Sequence, residues 1–176
     1  MKKSDLPLAP NDGYFGLIGH NIGPILDTAE DVLAVLLPMI PPEVGKPPRT
    51  GGVLTILHPC GRRLGQNPIG WLQDDDDSER YYKFSREKAD RLHEWYIREG
   101  HTSSAQSALL LLKKFPGAIW TYHGVLSFSG LPATADWALC LAVAVIIGWM
   151  PLEAAMGIAE RDGDEYFSCL AKALGL

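Results

Sequence analysis

Apolar and polar positions change period along this chain, and each change marks an element. "TAED" (Thr28 to Asp31) has capping-box spacing beside an apolar run. The Thr28 hydroxyl is placed to accept a backbone N–H, with the Asp31 carboxylate near the positive helix end, so a helix over about 28–37 is expected. Pro38, Pro41 and Pro42 stop it. "VLTILHP" (Val53 to Pro59) is β-branched and apolar and reads as a strand. "PCGRR" turns, and "RLGQNPIGWLQ" supplies a hairpin partner that Pro68 confines to an edge or a short span.

"DDDDSE" reads as a solvated loop, with Ser85 capping a helix to about Glu99 that carries Ala89, Leu92 and Tyr96 on one face. Gly100 ends that helix. "HTSSAQSALLLLKK" starts a new helix or a helix followed by a strand; the run Leu109 to Leu112 suits both. "GAIWTYHG" and "VLSFSG" form two short strands about a turn at His123-Gly124. Gly130 and Pro132 then end the strand, and Thr134 caps a helix with Asp136 in its first turn. From Trp137 to Trp149 there is no charge, so this helix is central or faces another subunit. Pro151 suits the first turn of a further helix, and Asp164 caps a last one bearing Tyr166, Phe167, Leu170, Ala171 and Leu174.

The order is α-β-β-α-(α)-β-β-α with an extra C-terminal helical pair. Two hairpins separated by helices imply an α+β fold, a single antiparallel sheet packed with helices. The 176 residues suffice for one domain, with an arm at 1–27, a core at 28–149 and C-terminal helices at 150–176.

A net charge of -5 argues against a nucleic-acid partner. The densest basic spots, Arg62-Arg63 and Lys113-Lys114, are only pairs, and the uncharged run is shorter than the roughly 20 residues that span a bilayer, so no membrane partner is expected. Three widely spaced cysteines suit a reducing compartment, and the start of the chain lacks the apolar core of a secretory signal. A cytoplasmic location is expected.

Two stretches carry a family resemblance. "KFPGAIWTYHGVLSFSGLPATADWALCLAVA", through Gly117, Gly124, Ser129, Gly130 and Asp136, resembles the last hairpin and helix of the HbpS/GlcG-like group of small haem-binding and uncharacterised domains. "SREKADRLHEWYIREGHTSS", with Lys88-Ala89 inside it, is similar to the preceding helix of that group. The resemblance implies the fold, homo-oligomers formed through apolar faces, and a planar ligand, with haem as one candidate. The iron ligand is not shared within the group, so none is carried onto this chain.

The candidate ligand-binding set is Gly100, His101, Thr102, Ser103 and Ser104, with Lys88 from the same stretch. A Gly-led turn opening a helix exposes N–H groups, and hydroxyls add donors for a carboxylate or phosphate. The same letters also describe a plain C′ glycine followed by a cap. His58 and Cys60 are too closely spaced for an ordinary zinc pair, and Asp74 to Asp77 lack the alternation of a calcium loop. "GLIGHNIG" (Gly16 to Gly23) lacks the order of a nucleotide loop, and "SFSG" is not a nucleophile elbow. Trp120, Tyr122 and Phe128 either line an apolar pocket or fill core. With no catalytic constellation, a ligand-binding module is the first expectation and a structural or interaction protein the alternative.

Overall fold

Strand β1 (Gly51–Leu57) is buried at every position, because both faces of the sheet are covered. It pairs antiparallel with β2 (Arg63–Gly70) on one side and with β4 (Gly124–Ser129) on the other. Strand β3 (Ala118–Thr121) completes the order β2-β1-β4-β3. The two expected hairpins are thus joined through their first and last strands into one antiparallel sheet, and the fold is α+β. Pro68 lies in the edge strand β2, opposite Val53. The computed structural model describes residues 22–72 and 75–176. Most of the arm, the Gly16 to Asn21 part of the glycine-rich stretch and Asp74 lie outside these residues.

Helix α1 (Gly23–Leu36) begins five residues before the expected cap, with Pro24 in its first turn. Proline there gives up an N–H that has no helical partner anyway. Thr28 is therefore interior: its hydroxyl donates to the Pro24 carbonyl at 2.8 Å. Helix α2 (Asp75–Glu99) likewise absorbs the expected acidic loop. Asp75, Asp76 and Asp77 sit in its first turn, where the helix dipole favours carboxylates, and Arg98 sits in its last. The pairs Arg86–Asp90, Glu87–Arg91 and Glu94–Arg98 add four-residue support. Ser85 is no cap; it is buried in mid-helix and accepts a hydrogen bond from Thr55 Oγ1 at 2.9 Å. Gly100 follows at φ 72°, the left-handed position that ends a helix.

The segment after Gly100 forms neither expected element. It contains two short 3₁₀ turns, Ser104–Ser107 and Leu110–Leu112. Ser103 bridges to Ile119, Trp120 N donates to the Thr102 carbonyl, and Ala118 N donates to Ser104 Oγ.

Helix α3 (Ala133–Ile146) starts at Pro132, so Thr134 lies inside it and caps nothing. Residues Ala135 to Ala144 are all buried. The helix packs on β3 and β4 and is covered by α1, α4 (Leu152–Asp162) and α5 (Phe167–Leu174). That central position explains an apolar surface on all sides. Asp164 Oδ1 accepts from the backbone N–H groups of Tyr166 and Phe167, the capping expected of it.

The sheet divides the interior into two. On one face, α2 packs Ala89 and Leu92 against Leu57, Ala118, Trp120 and Val125, with Tyr96 stacked on Trp120 at 3.7 Å. On the other lies the larger core, with Leu54, Ile56, Leu126 and Phe128 from the sheet and the remaining helices over them. Trp120 and Phe128 are therefore core residues, whereas Tyr122 is exposed at the β3–β4 turn.

Candidate functional site

Lys88 projects from α2 past the start of β3 and is only 2% exposed. Its Nζ donates to Asp136 Oδ2 at 2.6 Å and to the Phe128 carbonyl at 2.9 Å. Asp136, on the first turn of α3, accepts from Leu131 N at 2.9 Å through its other oxygen. A methyl at Gly117 would stand 2.7 Å from Lys88 Nζ, so only glycine leaves the ammonium its path. At Gly130 a Cβ would come within 2.3 Å of the Gly51 carbonyl, so the chain turns there only without a side chain. Gly117 and Gly130 thus lie beside the buried Lys88–Asp136 pair and Ser129 lines the same cleft, whereas Gly124 packs against Leu57 at the β3–β4 turn, away from it.

Burial raises the Asp136 carboxyl to about 6, with Lys88, the Leu131 N–H and Arg49 acting against that rise. Two of the three ammonium protons of Lys88 have partners among the described residues.

This pair forms the inner end of a cleft of about 630 Å³. Lys46, Arg49, Arg80, Lys88 and Lys113 line it, against only two carboxylates, Asp77 and Asp136. Four of the five are ion-paired, Lys46 and Arg49 with Glu43, Arg80 with Asp77 and Lys88 with Asp136, so the cleft and its rim are cationic by about two charges on a chain of net charge -5. The five come from three separate segments, the loop before β1, α2 and the loop before β3, so no run of basic letters announced them. Trp71, Tyr81, Phe84 and Phe115 supply aromatic walls, with Phe84 edge-on to Phe115 at 5.7 Å. Arg49 is held from both sides: Nη1 donates to Tyr81 Oη and to the Gly130 carbonyl, and Nη2 donates to Glu43 Oε1 at 3.0 Å.

The other expected site residues lie elsewhere. His101 lines a shallower groove of about 1120 Å³ along the outer face of α2, in which Glu79, Glu87, Asp90 and Glu94 are balanced by Lys83, Arg86, Arg91 and Lys114. Its ring stacks on Trp95 at 5.2 Å. Lys88 and His101 are 13 residues apart with the last three turns of α2 between them, a rise of roughly 16 Å. The turn at 100–104 spends its donors internally. Thr102 N and Ser103 N both donate to Gln106 Oε1, Ser103 Oγ accepts from Ala105 N, and Ser104 Oγ accepts from Ala118 N. It is a capping box closing a sheet edge, and of the expected set only Lys88 reaches the cleft.

The side chains that could serve a haem are divided between the cleft and the groove. Among the described residues of the cleft, Tyr81 is the one side chain of a type that commonly ligates haem iron, while the imidazole of His101 sits in the other groove, where Lys83, Arg86, Arg91 and Lys114 stand among four carboxylates. His58 Nδ1 and Cys60 Sγ approach to 2.9 Å at the exposed β1–β2 turn. Among the described residues no group of three His, Cys, Asp or Glu side chains is placed to hold a metal. Nor is any described helix long and apolar enough to cross a membrane. No protein-family model, no curated protein sequence and no solved structure matches the chain.

Proposed function

We propose that the protein is a binding module for a small organic anion with a flat apolar part, seated in the cleft between the start of α2, the loop before β1 and the β4–α3 turn. The observation that carries this reading is the convergence of Lys46, Arg49, Arg80, Lys88 and Lys113 on aromatic walls. Cations attract the anionic group and orient it, while aromatic faces bury the rest, the usual division of labour in small-molecule sites. The Lys88–Asp136 pair fixes the inner end. Among the described residues no nucleophile–base pair lines the cleft, which favours binding over catalysis.

The test is a thermal-shift panel of aromatic and aliphatic carboxylates and phosphates, each beside its uncharged analogue. A saturable rise in Tm for flat anions alone is expected, reduced by at least half in Arg49→Gln and in Lys113→Gln. If no anion raises Tm at millimolar concentration, the reading is wrong.

A second reading, an interaction protein, draws on a different observation. The apolar helix is not its surface, because α3 is covered by its own chain. Leu109, Leu110, Leu111 and Leu112 are instead 58%, 66%, 101% and 67% exposed in a loop, a contiguous run that isolated surface leucines do not explain. If this run mediates homo-oligomers, Leu111→Asp lowers the mass measured by light scattering in solution. An unchanged mass removes the run from self-association.

A further inference from the structure

Glu43 already occupies part of the cleft's cationic rim. Its Oε1 accepts from Arg49 Nη2 at 3.0 Å, and its Oε2 accepts from Lys46 Nζ. Lys46 and Arg49 both line the cleft, so a carboxylate of the chain sits on two of the five cations that would meet a ligand. Those two neighbours hold the Glu43 carboxyl below its ordinary value, Lys46 foremost. The loop that delivers it is sharply constrained: Pro41, Pro42, Pro47 and Pro48 restrict the backbone, and Gly45 at φ 78° turns it back.

The arrangement is also built to let go. The Glu43 side chain is 37% exposed, so it can exchange its cations for water without crossing the interior. Arg49 does not depend on it, since Nη1 remains held by Tyr81 and the Gly130 carbonyl when Nη2 changes partner. The Nη2 edge of the guanidinium is thereby presented to one carboxylate at a time.

We infer that the ligand of the cleft is a carboxylate and that Glu43 is its internal stand-in, displaced from Lys46 and Arg49 when the ligand arrives. This rests on the binding reading above and adds to it the chemical class of the anion and a competitor built into the chain. Exposed ion pairs are weak, so the competition is modest in size.

The test is calorimetric titration of the full chain with 2-naphthoate and with 2-naphthyl phosphate. Four proteins are compared: the parent, Glu43→Gln, Arg49→Gln, and Asp75→Asn, which removes an equal charge from the exposed start of α2. Naphthoate is expected to bind Glu43→Gln about threefold to fivefold tighter than the parent. Asp75→Asn is expected to match the parent, and the phosphate to bind more weakly than the carboxylate. Equal or weaker binding by Glu43→Gln, or equal tightening by Asp75→Asn, overturns the competitor. Tighter binding of the phosphate overturns the ligand class. Either result, with binding still lost in Arg49→Gln, leaves the cleft itself standing as a binding site. Absence of binding to both the parent and Glu43→Gln removes the cleft reading and this inference together.

Discussion

The Lys88 ammonium and the Asp136 carboxylate lie 2.6 Å apart in the interior, although they belong to helices on opposite faces of the sheet and stand 48 residues apart in the chain. Each is almost wholly buried. A pair of this kind is costly to break from one side, because the remaining charge has left water and has no counterion.

Lys88→Met is accordingly expected to destabilise the protein by about 3–5 kcal/mol. The double variant Lys88→Met, Asp136→Leu is expected to recover much of that loss, since it strands no charge. Urea denaturation of the two single variants and the double variant measures the coupling. Additive losses would show that the pair is not one energetic unit.

The raised Asp136 carboxyl fixes a pH dependence. Its folded value of about 6 exceeds the value of about 3.9 expected in an unfolded chain. The folded state thus binds the proton more tightly, and this group's contribution to stability falls as pH rises from about 4 to about 6 and is level above that. The stability difference between the parent and Asp136→Asn, followed across that window, is expected to change in this sense. In Lys88→Met the carboxyl midpoint, read by ¹³C NMR, is expected to move higher, because the ammonium holds it down.

Two glycines test the close approaches. A methyl at Gly130 would meet backbone atoms of Gly51 and Gly52 at 2.3 and 2.4 Å, whereas at Gly117 it would meet Lys88 Nζ at 2.7 Å and the Phe128 carbonyl at 2.9 Å, a smaller overlap. Both sit at positive φ, 154° and 129°. Gly130→Ala is expected to lower Tm more than Gly117→Ala, and the reverse order would discredit the packing argument.

The Thr55–Ser85 hydrogen bond is buried between β1 and α2. Ser85→Ala is expected to cost about 1 kcal/mol by chemical denaturation, more if Thr55 finds no new acceptor. A neutral result would mean that Thr55 re-pairs without loss.

What the letters revealed depended on range. Strand periodicity and the glycine and proline punctuation located all four strands and the order of the helices, since those signals are local. The beginning of α2 was missed because a run of aspartates looks like a loop by charge alone, while at a helix N-terminus the dipole makes the same run favourable. Thr28 and Thr134 were read as caps although proline had already opened each helix a few residues earlier. The cleft was illegible for another reason. Its cations are scattered from Lys46 to Lys113, and only the pairing of β1 with β4 gathers them. Lys88 alone was singled out, and it was placed with Gly100 to Ser104, from which the last three turns of α2 separate it.

The segment from Gly100 to Ser104 acquires a different meaning from its contacts with β3. An outer strand ordinarily exposes a row of backbone donors and acceptors that a second chain can adopt. Here the outward N–H groups of Ala118 and Trp120 are already taken by Ser104 Oγ and the Thr102 carbonyl. At the opposite border, Pro68 removes a donor from β2. Both margins of the sheet thus offer an incoming strand fewer free donors than a bare edge would, which works against lengthening the sheet into a fibre.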